Sequence, residues 1–590
     1  MTKKQKKSAA APIKGTPVKG TPVNGASLKS AARNGSTTDY LDPDDEGLYF
    51  LPLGGAGEIG MNLNLYRHKG QWLMVDCGVT FGDDSMPGIE VITPDPTFIV
   101  EHVDELCGLI LTHAHEDHLG AVPYLWQRLR CPIYATPFTA SVLRRKLEDT
   151  DFGKQVPVTI VPLSGSFEVG PFEIELITLT HSIPEPNALV IRAGEAGPVV
   201  HTGDWKFDPD PLVGPTSDEA RLRDLGEEGV LAMIGDSTNV FREGEAGSEA
   251  DVRRNLIEMV GRFENRVAVA CFASNVARLE TMAKVAEANG RHPALIGRSL
   301  WRMNSAAKEN GYLKGIEFLS EHDAGFLPRD KVLLICTGSQ GEPRAALSRI
   351  VGDSHPHITL EGGDTVIFSS RVIPGNEKSI ARVQNALIRR GIEVVTPKND
   401  DIHVSGHPAR DELVRMYQHV RPQIAIPVHG ESRHLIEHAR LARDCQVPEA
   451  LVVSNGDVIR LYPGPAARVD EVYNGRLALD GKRLVRLGDP VLRDRHRLMH
   501  SGAVTLTLVL DKAGRLRSDP VGSFHGVLEV DDPACDDILD LAADTVEAMQ
   551  AGARRDDASV AEAVRIAVRR ALNEELGRKP VTDVHVVRLS

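Results

Sequence analysis

Residues 112–118 read Thr-His-Ala-His-Glu-Asp-His, which places three imidazoles and a carboxylate, His113, His115, Asp117 and His118, within six positions. Imidazole and carboxylate are ligands for divalent ions such as Zn2+ and Mn2+. A purely structural zinc site would normally use thiolates, and the run contains none. The alternative, a fortuitous polar loop, would need no matching ligands elsewhere. Such ligands stand at the ends of apolar, strand-like runs: His181 after 177–180, Asp204 after 200–203 and His429 after 425–428. Singly, each could be a structural polar residue; together they complete a two-ion count. Three histidines with a bridging carboxylate on one ion, and an aspartate, two histidines and the same bridge on the other, leave positions open for water and substrate. Two ions ~3.5–4 Å apart can lower the pKa of a shared water and clamp both oxygens of an in-line displacement. The chemistry expected is hydrolysis, most naturally of a phosphodiester.

Short apolar runs punctuated by glycine must position these residues. Residues 49–53, 62–66, 72–75 and 106–111 read as strands of a buried sheet, and 119–129 as the helix after the histidine run. Gly54, Gly55, Gly57 and Gly60 invite a dinucleotide fingerprint, but a strand follows where a long helix is required, so nucleotide cofactor binding is set aside. Further strands are expected at 156–161, 172–178, 188–191 and 199–202. Beyond about residue 236, helices (249–263, 276–288, 300–310) alternate with strands (267–271, 332–337, 365–368), the rhythm of an inserted α/β unit. Strands at 393–396 and 422–427, with a helix at 411–419, return to the style of the first unit. Gly464-Pro-Ala-Ala reads as a connector. A third unit follows, with strands at 503–509, 527–530 and 584–589 and helices at 535–549 and 559–576, and it carries no catalytic constellation. It is expected to serve association.

At 590 residues the chain exceeds one ordinary domain, and 42% apolar with 25% charged residues is ordinary for a globular protein. No run of about 18 uncharged apolar residues exists to cross a membrane, and no apolar segment follows the first lysines, so a cytoplasmic location is expected. Seven scattered cysteines without a C-x-x-C pair read as reduced, mostly buried thiols. The net charge of -14 argues against coating nucleic acid by bulk charge, though not against a local basic groove. Residues 1–38 hold eight basic residues, no acid and a direct Lys-Gly-Thr-Pro-Val repeat. Either a tether for RNA or another polyanion, or a solubilising extension, fits this composition.

The histidine run, with Asp76, His181 and Asp204, resembles the metallo-β-lactamase superfamily, and the long gap before His429 resembles the beta-CASP insertion of its nucleic-acid-processing branch. Within that branch the ribonuclease J family matches best, through Gly57-Glu-Ile-Gly60, Gly235-Asp-Ser-Thr-Asn239, Thr337-Gly-Ser-Gln-Gly-Glu-Pro343, Ile373-Pro-Gly-Asn-Glu377, His403-Val-Ser-Gly-His407 and Pro427-Val-His-Gly-Glu431. The resemblance implies a metallo-β-lactamase αββα sandwich with an inserted beta-CASP α/β domain and a small C-terminal α/β domain. Its boundaries would be a disordered basic tail at 1–46, the sandwich at 47–236 and 399–463, the insertion at 237–398, a linker at 464–478 and the C-terminal domain at 479–590.

The resemblance further implies a ribonuclease that degrades single-stranded RNA 5′-to-3′ from a 5′-monophosphate, with some endonuclease activity, in rRNA processing and mRNA decay. Its partners would be a second copy held through the C-terminal domain and proteins of RNA-degradation complexes. One ion, Zn2+ or Mn2+, would bind His113, His115 and His181, the other Asp117, His118 and His429, with Asp204 bridging. Asp76 would orient a ligand histidine. Asp236 and His407 would serve the leaving 3′-oxygen, as a histidine held by a carboxylate can, although Asp236 could also be a helix N-cap. A 5′-phosphate pocket would draw on Ser369, Ser370, Arg371, His403, Ser405 and Gly406, for which ordinary turn chemistry is the alternative. Phe81 would stack on a base or pack in the core. Two positions depart from the pattern: Met61 stands where lysine is common, and Gly244–Glu249 is unusually acidic. The competing readings are a DNA-directed beta-CASP nuclease, a small-molecule hydrolase and a non-catalytic RNA scaffold.

Overall fold

The computed structural model describes residues 39–83, 85–398 and 401–589. The basic run 1–38 lies outside the described residues. Within the expected tail, Tyr40 is buried and its hydroxyl donates to Asp470, so Tyr40 and Leu41 pack on the first domain.

Strand Leu48–Gly54 is buried at every position because both of its faces are covered. Leu48 and Phe50 point into the layer between two sheets, and Tyr49, Leu51 and Leu53 point to the helical side. That alternation, repeated in neighbouring strands, builds the sandwich. One sheet has eight strands, in the order Ala467–Glu471, Asp457–Tyr462, Leu48–Gly54, Leu63–His68, Gln71–Val75, Leu106–Ile110, Ile133–Ala135 and Val158–Ile160. The other has seven: Ser166–Val169, Phe172–Thr178, Asn187–Ala193, Ala196–His201, Ala232–Asp236, Ile424–Val428 and Glu449–Ala450. Helices Val122–Leu129 and Pro137–Leu147 cover the first, and Glu219–Glu228, Arg410–Val420 and Ser432–Asp444 the second. The fold is the expected αββα sandwich.

Between Asp236 and Arg410 runs the inserted unit, a parallel sheet ordered His292–Ile296, Val332–Cys336, Val267–Ala270, Thr365–Phe368 and Glu393–Val395. The last strand corrects the sequence reading: it pairs with Thr365–Phe368 and closes the insertion instead of returning to the sandwich. The expected linker 464–478 is also revised. Ala467–Glu471 pairs with Asp457–Tyr462 as an edge strand, and Arg476–Asp480 pairs with Val91–Pro94, so both belong to the first body. The last unit sets Ala503–Leu510 between Val521–His525 and Val581–Arg588, under helices Ala534–Ala548 and Asp557–Leu576. Its second strand is Val521–His525, where 527–530 was expected; those residues form a turn. All seven cysteines are free and five are buried.

A buried ion pair inside the insertion also grips the loop that leads back to the sandwich. The Arg278 guanidinium, fully buried, donates to both Glu249 oxygens at 2.9 and 3.1 Å, and to the backbone carbonyls of Ser369 (3.0 Å) and Ile402 (3.3 Å). Truncating one partner of such a pair leaves the other charge buried and uncompensated. Arg278→Met should therefore lower stability by about 3–5 kcal/mol in urea unfolding; a loss below about 1 kcal/mol would show that water replaces the guanidinium.

His438 is equally enclosed, between the Ser237 hydroxyl at Nδ1 and the Tyr417 hydroxyl at Nε2, both at 2.9 Å. Burial pushes its pKa down to about 4. An unfolded histidine titrates near ~6.5, so between these values the unfolded chain holds more protons and stability falls as pH drops. His438→Gln should flatten this slope between about pH 6.5 and 4, and an unchanged slope in urea titrations across that range would refute the assignment.

Candidate metal centre

The potential ligands sit where strands from both sheets end. Asp76 follows Gln71–Val75, the run His113–His118 follows Leu106–Ile110, His181 follows Phe172–Thr178, Asp204 follows Ala196–His201, Asp236 ends Ala232–Asp236 and His429 follows Ile424–Val428. These strands run in the same sense within each sheet, so their carboxyl ends meet at one rim. Asp76 (φ 63°) and His429 (φ 53°) hold left-handed backbone, a strain of about 1–3 kcal/mol each. It is held in place by hydrogen bonds from Asp76 N to Ile110 O (2.9 Å) and from His429 N to Gly55 O (2.7 Å). Gly78 is obligatory, because a Cβ there would lie 1.7 Å from the Asp117 carbonyl oxygen.

Donor atoms converge in two sets that share one carboxylate: His113, His115, His181 and Asp204, and Asp117, His118, Asp204 and His429. In the first set His115 Nδ1 lies 3.1 Å from His113 Nε2 and 3.0 Å from His181 Nε2. In the second, His118 Nε2 is 3.2 Å from Asp204 Oδ2, and His429 Nε2 is 3.1 Å from Asp117 Oδ2. The other oxygen of Asp204, Oδ1, is buried and accepts no hydrogen bond from the described residues. Imidazole nitrogens facing one another around one oxygen of a buried carboxylate, whose other oxygen is unsatisfied, are a donor set that suits divalent cations.

The outward nitrogens are fixed from behind. His118 Nδ1 donates to Asp76 Oδ2 at 2.7 Å, and Asp76 Oδ1 accepts from Thr112 N at 2.8 Å. His429 Nδ1 donates to Thr238 Oγ1 at 2.8 Å, and His181 Nδ1 to the Gly406 carbonyl at 2.5 Å. His113 Nδ1 meets Thr112 Oγ1 at 3.0 Å. Each N–H donated outward leaves an Nε2 lone pair directed inward. Gly406 can be nothing larger, since a Cβ would reach 2.6 Å from the His181 ring.

Burial, with neighbouring imidazoles, holds His113 and His181 well below their usual range. His115 falls to about 4 because burial outweighs Asp117 and Asp204. Burial opposes charge on His118 and His429 too, but carboxylates led by Asp204 overcome it and move both upward. Burial would raise Asp204 and Asp117, yet surrounding histidines hold both low. The first set is thus built of neutral imidazoles and the second of charge-paired groups.

His407 Nδ1 donates to Asp236 Oδ2 at 2.8 Å, and the pair joins Asp204 and His429 in a third cluster. Asp236 Oδ1 accepts from Thr238 N and Oγ1, closing a local turn, and no helix begins there. Among the phosphate candidates, Ser369 is buried, with its hydroxyl donating to Ile402 O at 2.7 Å and accepting from Arg278. Ser405 accepts from Asn239 Nδ2 (2.8 Å) and His407 N (3.2 Å). Ser370 is buried beside Gln340, whose amide bonds Arg371 O and Ile373 N and so shapes residues 370–376. Arg371 donates to Asn239, and the Nδ1 of His403 is buried with no partner among the described residues. Phe81 is 62% exposed, which removes the core-packing alternative. Thr112, Thr238, Asn239 and Gln340 were not singled out from the sequence, although each lies in or beside a motif that was.

Comparison with known proteins bears on this geometry. Residues 59–256 match the metallo-beta-lactamase superfamily, 264–387 the ribonuclease J beta-CASP domain, 390–448 the Zn-dependent metallo-hydrolase RNA specificity domain and 490–589 the ribonuclease J C-terminal domain. Ribonuclease J of Sinorhizobium meliloti is 45% identical over 553 residues, covering 92% of this chain and 98% of that protein. The chain belongs to the ribonuclease J family. The Mycolicibacterium smegmatis ribonuclease J is 38% identical over 92% of this chain and 98% of its own, and that of Thermus thermophilus 36% identical over 78% and 81%. As a member of the ribonuclease J family this chain is a hydrolytic, metal-dependent nuclease, with a His/Asp cluster fitted for divalent cations. No helix among the described residues is long and apolar enough to cross a membrane.

Because Asp76 touches His118 and no member of the donor sets directly beyond it, Asp76→Asn should weaken divalent-metal affinity about 10–100-fold while leaving the fold intact. Equilibrium dialysis against Zn2+ or Mn2+ measures this, and unchanged affinity would sink the orienting role.

Proposed function

We propose that this ribonuclease J-family chain degrades single-stranded RNA 5′-to-3′ from a 5′-monophosphate, with some endonucleolytic cleavage, at two divalent cations, Zn2+ or Mn2+. The observation that carries the reading is the His407–Asp236 pair set against Asp204, the carboxylate common to both donor sets. His113, His115 and His181 would hold one cation, Asp117, His118 and His429 the other, and Asp204 both. Divalent cations bound at such a site supply Lewis acidity toward water and phosphate oxygens.

The chain's own residues do the rest. His407, with Nδ1 committed to Asp236, carries a proton on Nε2 for the departing 3′-oxygen. As the P–O3′ bond breaks, that proton completes the 3′-hydroxyl of the released nucleotide, and an oxygen from water remains on phosphorus as the new 5′-phosphate. Asp236 balances the imidazolium charge and fixes its ring. Ser370, Arg371, His403, Ser405 and Gly406 would bind the terminal phosphate. The hydroxyl of Ser369, spent on Ile402, serves the loop instead. Phe81, exposed on the short strand that follows the Asp76 turn, would stack on a base. The location is taken to be cytoplasmic, with a second copy associating through the C-terminal domain, and proteins of RNA degradation as further partners.

The test uses one RNA sequence with a 5′-monophosphate, 5′-triphosphate or 5′-hydroxyl, and the matching DNA, with Mn2+ or Zn2+. Mononucleotides should be released from the 5′ end of the monophosphorylated RNA. His407→Ala should cut the rate about 10²–10⁴-fold, and Asp117→Ala should abolish turnover. Cleavage of DNA alone, or activity surviving Asp117→Ala, would overturn the reading.

A further inference from the structure

Fifteen phenylalanines are present, and three of them, Phe81, Phe241 and Phe326, are exposed. Phe81 already has a place in the proposed function. Phe241, 53% exposed, stands five residues after Asp236 on the turn that supports the His407–Asp236 pair. That turn is rigid. Val240 is fully buried, Arg242 N bonds Asn239 O at 2.8 Å, and Arg410 N bonds Arg242 O at 2.8 Å. Asn239 donates to the His407 carbonyl at 3.1 Å. A flexible loop could hide an aromatic ring; this one holds it outward.

The ring rests edge-on against His434, with centroids 5.4 Å apart and planes at 61°, and His434 is itself buried beside Gly430 next to the ligand His429. The Phe241 ring is thereby backed by protein on one side while solvent reaches the rest. Arg242 and Arg371, both exposed, form no ion pair among the described residues, and Arg371 reaches the same turn through Asn239. Glu243 and Glu245, also exposed, follow Arg242 on the chain and offset its charge. With Arg371 assigned to the terminal phosphate and Arg242 followed by two acids, the planar ring held rigidly beside the nuclease centre gains most from a nucleobase.

We infer that Phe241 is a stacking subsite for the base of one nucleotide flanking the scissile phosphate. This rests on the nuclease reading above, and it assigns a role to two exposed acids, Glu243 just before the acidic segment that departs from the family pattern and Glu245 within it: they make the contact depend on the base rather than on the backbone. Binding here is therefore insensitive to salt, unlike binding through lysine and arginine.

The experiment measures affinity of the full-length metal-loaded protein for a cleavage-resistant phosphorothioate RNA with a 5′-monophosphate, by fluorescence anisotropy at low and physiological salt. Phe241→Leu should weaken binding about 10-fold at both salt concentrations, and Phe241→Trp should restore it. In a series of RNAs each lacking one base, a single position should cost the wild type about as much as the leucine variant loses, and cost that variant nothing further. Equal affinity of Phe241→Leu and wild type, or an unchanged abasic penalty at every position in the variant, would overturn the proposal. The matching DNA separates the two readings. A wild type that binds and cuts only DNA refutes the RNA reading, and the stacking subsite then stands or falls on the same Phe241→Leu comparison made with that DNA.

Discussion

The shared carboxylate of Asp204 is the constraint around which the rest is arranged. It lies within reach of His113, His118, His181, His407 and His429, drawn from both sheets and from the loop beyond the insertion. Burying one anion among five imidazoles is tolerable only if charge is balanced atom by atom. The second layer supplies that balance: Asp76 behind His118, Thr238 behind His429, Asp236 behind His407 and the Gly406 carbonyl behind His181. At His118, His181 and His429 the partner takes Nδ1 and leaves Nε2 facing Asp204, while His407 meets Asp236 and Asp204 through the same Nδ1, so the sandwich serves mainly as a frame for tautomers.

The insertion takes part in that frame. The carbonyl that fixes His181 belongs to residue 406, and the same loop is gripped at Ile402 by Arg278 and Ser369 of the inserted unit. Asp208 and Lys206, just past Asp204, meet the insertion's first helix at Glu249 N and Gly247 O. The insertion and the donor sets therefore share hydrogen bonds, and a shift of one unit against the other would be felt at His181.

Local features were legible in the sequence. The histidine run, the Asp76 turn and the ligands at strand ends announce themselves because a strand followed by a polar loop is a short-range pattern. Pairings across hundreds of residues were not legible: the 181–406 contact has no local signature, and a buried strand such as Glu393–Val395 does not say which sheet it joins. Ala467–Glu471 was read as a connector because it is a half-exposed edge beside Gly464-Pro-Ala-Ala, with little apolar alternation. Helix Pro490–Ser501 buries no residue and so offers no apolar stripe to read. The serines near 369 were indistinguishable as a sequence, and only the hydrogen bonds of Ser369, spent on Ile402 and Arg278, separate it from its equally buried neighbour Ser370.

Strand Ile424–Val428 enters the seven-stranded sheet late, pairing with Ala232–Asp236, which was synthesised almost two hundred residues earlier. During translation the sandwich must wait with that edge open, and folding that proceeds from the N-terminus leaves an unpaired strand. A chain interrupted inside the insertion lacks both His407 and His429. The nuclease is thus assembled only when nearly three quarters of the polypeptide has emerged, and a nascent or truncated product carries the histidine run without the means to use it.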